Sequence, residues 1–205
     1  MRSAYDVVTD LVESNKNIKS IRLVSYDEKS TWRDLVVPGE HIELPVLVQG
    51  LNQDQGPRVF NDIPREQATA DELRVIASNL SESRVLGICS IVQLVSGESL
   101  HIPMMDFLCT PSQTNLTLLT NLVGKLDQRR GFLLESGRSY HYYGFDLLST
   151  TDWQAFLGKC LLMSGFADDR YIGHQLVDGH CVLRLSSGKL KSCVPVVVAE
   201  LPSRL

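Results

Sequence analysis

Apolar positions recur every three or four residues at Tyr5, Val8, Leu11 and Val12, which predicts a helix over residues 2–15. The pattern then switches to alternation. Ile21–Tyr26 and Pro45–Gln49 predict strands, separated by a turn at Pro38–Gly39. The polar, Gly- and Pro-containing stretch Leu51–Ile63 predicts a long loop or an excursion. Thr69 and Glu72 have capping-box spacing ahead of Leu73, Ile76, Ala77 and Leu80, a second helix. Arg84–Val95 and Leu100–Phe107 are apolar runs around Ser96–Gly97 and predict a hairpin of central strands. Thr110 or Ser112 is placed to cap a helix running to about Leu126, with Leu116, Leu119, Leu122, Val123 and Leu126 on its apolar face.

Two short strands, Phe132–Glu135 and Ser139–Tyr143, flank Ser136–Gly137. Thr151 is the expected N-cap of a helix over Asp152–Met163. Cys181–Leu185 and Val194–Leu201 read as strands on either side of a Ser/Gly/Lys turn. Strand pairs with interspersed helices give an α+β class, a mixed or antiparallel sheet with flanking helices. Residues 1–83 are expected to form an N-terminal α/β portion packed on a core of residues 84–205, as one two-lobed unit.

Composition narrows the class. With 205 residues, 43% hydrophobic and 21% charged, the chain is an ordinary globular protein with enough length for one substantial core. No run approaches the roughly 18–20 apolar residues that span a bilayer, so no membrane association is expected. The N-terminus lacks the features of a secretory signal. Five widely spaced cysteines, mostly in apolar surroundings, fit a reducing, cytoplasmic setting. The net charge of −4 supplies no global field for a polyanion. Positive charge concentrates in the second half, at Arg129–Arg130, Arg138, Arg170, Arg184, Lys189 and Lys191.

The polar residues that interrupt the apolar strands carry the candidate chemistry. Asp106 ends an apolar strand, where it is either a turn aspartate or a metal-binding carboxylate. Its same-face partner two residues on is Leu108, so a carboxylate pair is incomplete there. In ESGRSYHYYG, Ser139, His141 and Tyr143 share one strand face, suited to a phosphate or ribose, or to aromatic packing across strands. Asp168 and Asp169 beside Arg170 either bind Mg²⁺ or form an exposed ion pair. Arg184, on an apolar strand, calls for an anion, a carboxylate or a phosphate. CxxC, HExxH, Walker, GxGxxG and GxSxG patterns are absent, which removes dedicated zinc, P-loop and nucleophile-elbow sites.

The order of these elements resembles the catalytic core of the archaeo-eukaryotic primase superfamily, the primase-polymerases. That pattern is an hhhDhD/E strand, an sxH strand and an hD element. Here the matching stretches are Met104–Leu108, Ser139–His141 and Ala167–Asp168, and the tail VLRLSSGKLK resembles the strand that brings a basic residue to the phosphates. The resemblance, to a divergent bacterial branch, covers roughly residues 84–200. It implies a primase-like, RRM-like core and metal-dependent nucleotidyl transfer. It also implies Mg²⁺ or Mn²⁺ on Asp106, Asp168 and Asp169, with Asp106, His141 and Asp168 catalytic. Ser139, Arg138, His174, Arg184 and Lys189 would contact nucleotide or phosphate. The partners it implies are nucleotides, DNA or RNA, and proteins supplying modules this chain lacks. Leu108 departs from the pattern, removing one of three metal carboxylates. The alternative it leaves is a non-catalytic nucleotide-, nucleic-acid- or partner-binding module of a larger bacterial system.

Overall fold

The computed structural model describes residues 1–27, 57–126, 130–163 and 165–201; the strand expected at Pro45–Gln49 lies outside them. Helix α1 (Ala4–Ser14) starts where Ser3 donates its backbone N–H to the Asp6 carboxylate at 2.7 Å, and it buries Tyr5, Val8, Leu11 and Val12 as their spacing requires. Strand β1 (Ile18–Asp27) follows, then β2 (Val59–Pro64), a short 3₁₀ turn (Arg65–Gln67) and α2 (Ala70–Ser78). The Thr69 hydroxyl accepts the Glu72 N–H at 3.3 Å, which satisfies one of the helix's orphan donors. Residues 59–64 are therefore a strand, not part of a loop. Their polarity reflects an edge position beside β1, where every residue except Ile63 is exposed.

The rest of the chain forms β3 (Arg84–Leu94), β4 (Ser99–His101), β5 (Met104–Asp106), α3 (Gln113–Leu126), β6 (Gly131–Glu135) and β7 (Tyr140–Gly144). After these come α4 (Thr150–Leu161), α5 (Asp169–Asp178), β8 (Val182–Arg184) and β9 (Val196–Leu201). Every pairing is antiparallel. One sheet has the order β2-β1-β3-β4 with β8 also on β3, and the other has the order β5-β7-β6-β9. The fold is α+β.

The expected hairpin of Leu100–Phe107 with Arg84–Val95 holds only for β4. Pro103, which has no N–H to donate to a ladder, separates β4 from β5, and β5 pairs in the second sheet instead. Val194–Leu201 likewise leaves β8 behind and pairs with β6. Residues before 84 are part of the same interior. β1 lies between β2 and β3, the N–H of Ala4 bonds the carbonyl of Pro195 at 2.8 Å, and one hydrophobic cluster runs from Ala4 to Leu201. Among the described residues, no helix is long and apolar enough to cross a membrane.

The N-cap of α4 is Ser149, not Thr151. Its hydroxyl accepts the Asp152 N–H at 3.1 Å and donates to the Asp152 carboxylate at 2.7 Å. Ser149→Ala is expected to cost about 1 kcal/mol in equilibrium denaturation, whereas Thr151→Ala, inside the exposed first turn, should be neutral or stabilise by a few tenths of a kcal/mol, because Ala is the better helix former. Equal losses at the two positions would contradict this assignment.

Candidate functional site

The site is a product of strand register. Asp106, the last residue of β5, lies directly opposite His141 of β7. An isolated antiparallel bridge joins Phe107 to Ala167, and the Asp168 N–H reaches the Asp106 carbonyl at 3.3 Å. Directly opposed residues in antiparallel pairs project to the same face, with Cβ atoms about 5 Å apart. His141, Asp106 and Asp168 thus form a row across three adjacent segments. The Ser139 hydroxyl, two residues before His141, donates to Asp106 Oδ1 at 3.3 Å, and His141 Nε2 lies 3.7 Å from the same oxygen.

Burial sets the electrostatics. His141 is 2% exposed, and its Nδ1 has no hydrogen-bond partner. Burial, then the positive charges of Arg184 and Lys191, hold its pKa well below the ordinary histidine range. The ring is neutral at pH 7. The Asp106 carboxylate pulls the other way and is outweighed, since desolvation penalises the imidazolium throughout. Asp106 itself keeps 23% of its side chain exposed, and Asp168 is half-buried, so solvent reaches the two carboxylates of the row while His141 stays buried. The Tyr143 hydroxyl is buried without a hydrogen-bond partner, the Tyr171 hydroxyl lies against the Cys181 thiol, and burial raises both phenols far above the usual range.

The sequence places Ser139, His141 and Tyr143 on one strand face. In the structure, all of β7 is buried on both faces, because β5 and β6 flank it and its tyrosines fill the interior. The stretch Asp168–His174 is the cap and first turns of α5. Asp168 is its N-cap and accepts the Tyr171 N–H at 3.0 Å. Asp169 sits exposed in the first helical turn and accepts the Arg170 N–H at 2.8 Å. His174 is half-buried one turn further along, and burial lowers its pKa. Arg138 is exposed at the tip of the β6–β7 turn, and Lys189 is exposed in the β8–β9 connection. Arg184 is buried and directs its terminal nitrogens at backbone carbonyls. Lys191 was not singled out for the site, yet its charge acts on His141. The available signal was the pair of lysines, Lys189 and Lys191, in the Ser/Gly/Lys turn that follows β8.

A family model described as AEP-like, archaeo-eukaryotic primase 1D-like, matches residues 64–193, more than half of the chain. The chain belongs to that family. The match takes in the whole row of Asp106, His141 and Asp168 together with Arg184 and Lys191, and it begins inside β2. No match was found among curated proteins or among solved structures.

A primase-type fold implies divalent metal. Mg²⁺ and Mn²⁺ need several oxygen ligands, and the protein supplies them mainly as carboxylates. Asp106 and Asp168 are opposed, but one oxygen of Asp168 accepts a helix N–H, and Leu108 offers no donor. Among the described residues, no group of three or more His, Cys, Asp or Glu side chains is arranged to hold a metal ion. This donor set does not fit a protein-held pair of catalytic metals.

Proposed function

We propose that the chain is a nucleotide-binding member of the primase-like family that does not turn its nucleotide over. The observation that carries this reading is the composition of the Asp106 row. It keeps the serine, histidine and two aspartates that face a nucleotide in a primase-like core, and it carries Leu108 where a further metal carboxylate belongs. Nucleotidyl transfer rests on positioning and on neutralising charge at the phosphates. With fewer carboxylates, the site retains the positioning elements and lacks the metal-holding ones. Arg138, Lys189 and Lys191 stand in the two connections beside the row and supply the cationic rim for a triphosphate or for the end of a nucleic-acid strand.

Supporting a second reading, an active nucleotidyltransferase, is the opposition of Asp106 and Asp168, the two-carboxylate arrangement such an enzyme starts from. One experiment separates the two. Fluorescent ribo- and deoxyribonucleoside triphosphates are titrated into the full chain with and without Mg²⁺ or Mn²⁺, and primer extension is followed in parallel. The binding reading expects saturable affinity, no extension, and at least about tenfold weaker binding on Lys191→Ala, roughly one strong phosphate contact. Extension that Asp106→Asn abolishes would establish the enzyme instead. No nucleotide binding under any condition would remove both readings.

A further inference from the structure

Arg184 is 3% exposed, and among the described residues no carboxylate lies within ion-pair distance of it. One terminal nitrogen, Nη1, donates to the carbonyls of Ser186 and of Cys193, the latter at 2.6 Å. The other, Nη2, donates to the carbonyl of Ser136 at 2.8 Å. Its Nε has no partner. Arg184 belongs to β8 in the first sheet. Ser136 lies in the β6–β7 turn of the second sheet, and Ser186 and Cys193 bracket the connection that returns to it. A single guanidinium therefore ties the two sheets together at the turn that leads into the strand of Ser139 and His141.

That turn is closely supported. Gly137 has φ +104°, the left-handed region, and a Cβ there would come within 2.8 Å of Cys193 Sγ. The turn thus lies against the connection that Arg184 also grips. Within it, the Ser136 N–H donates to the Ser139 carbonyl at 2.9 Å, and the two serine hydroxyls are 3.3 Å apart. The Ser139 hydroxyl in turn donates to Asp106. A continuous hydrogen-bonded path runs from Arg184 through Ser136 and Ser139 to the Asp106 carboxylate, which is partly open to solvent.

We infer that Arg184 is a positioning residue for the Asp106 site, clamping the Ser136–Ser139 turn to the β8–β9 connection, with its terminal nitrogens committed to backbone carbonyls rather than to a ligand phosphate. The clamp requires a planar fork. A lysine ammonium carries the same charge but cannot serve carbonyls from three directions in fixed geometry. An arginine also never releases its proton, so the clamp persists at every pH at which the protein is folded.

The inference rests on the nucleotide-binding reading for its consequence, and two measurements on the full chain keep the two apart. In the wild type, ¹⁵N-detected NMR of arginine side chains is expected to show one guanidinium with slowed rotation, unchanged when a saturating nucleoside triphosphate is added. A freely rotating Arg184, or one that shifts onto the ligand phosphate, overturns the clamp. In Arg184→Lys and Arg184→Met, amide exchange over residues 136–144 is expected to rise by about tenfold or more, with protection in β1–β3 unchanged. Nucleotide affinity should fall by about tenfold in both, because a second-layer contact is lost. Wild-type protection and affinity in Arg184→Lys would show that charge alone suffices and overturn the clamp. So would exchange that rises equally in α1 and β1–β3, the mark of a general stabiliser. A wild type that binds no nucleotide overturns the functional reading, and the exchange pattern alone then decides the clamp.

Discussion

Trp153→Ala is expected to lower the unfolding free energy by about 3–5 kcal/mol, the largest loss from any single truncation proposed here. Trp153 is fully buried, and its ring stacks on His101 with centroids 4.5 Å apart at 15°. His101 Nδ1 is 3.2 Å from the Ser90 hydroxyl, and that hydroxyl accepts the Cys181 N–H at 2.9 Å. The indole of α4 therefore covers the place where β3, β4 and the entry to β8 meet. Removing it opens a cavity beside a histidine kept neutral by burial, so water and a proton gain access together. Against a typical total stability of 5–15 kcal/mol, the variant sits near the margin. Urea denaturation followed by circular dichroism checks this; the midpoint should fall with the slope unchanged. A loss below about 1 kcal/mol would mean that the helix repacks over the gap.

What sequence reading recovered depends on how much apolar patterning each element carries. Helices α1 and α3 bury one continuous stripe each, so their period was visible within about two residues of the observed ends. Strand β7 was visible, but its burial on both faces was not, because its tyrosines present hydroxyls that read as polar while their rings fill the interior. Helix α5 was hidden because only Ile172 and Gln175 are buried in it, and one isoleucine displays no period. Its signals were terminal ones, the Asp168 cap and Gly179 in the left-handed conformation just past the end.

The candidate row was half legible. Alternation along β7 by itself puts Ser139 and His141 on one face. Opposing Asp106 to His141 depends on the register of β5, which Pro103 and the Gly144 N–H bond to the Pro103 carbonyl help to fix. Opposing Asp168 to Asp106 depends on a single isolated bridge, and no local pattern encodes one. The role of Arg184 was the least legible. Sequence says that a buried arginine needs acceptors, but backbone carbonyls from a distant turn satisfy it as well as a carboxylate or phosphate would. Only the fold shows which of them are present.

Acidification from pH 6.5 to about 4 is expected to destabilise the fold progressively through histidines that burial keeps neutral, His101 and His141 foremost, with His174 and His180 shifted in the same direction. Burial, reinforced by the charge of His180, pushes His101 down to about 4. Burial, with Arg184 and Lys191, holds His141 well below its ordinary value. In the folded chain His101 stays mostly neutral until the pH nears 4 and burial holds His141 neutral below the ordinary range, whereas each takes up a proton near 6.5 once unfolded. The unfolded state thus binds more protons, and stability rises with pH across the window and levels off above it. Asp6 and Asp62, both lowered by their hydrogen-bonded partners, act in the same direction only at lower pH, near and below the ordinary carboxylate value. The slope of unfolding free energy against pH isolates the histidines from any change in overall stability. His101→Phe, which keeps an aromatic ring against Trp153, should reduce that slope by one proton, about 1.4 kcal/mol per pH unit. A slope that does not change in this variant would mean that His101 already takes its proton in the folded state, and the neutral stack on Trp153 would then be the wrong description of the interior.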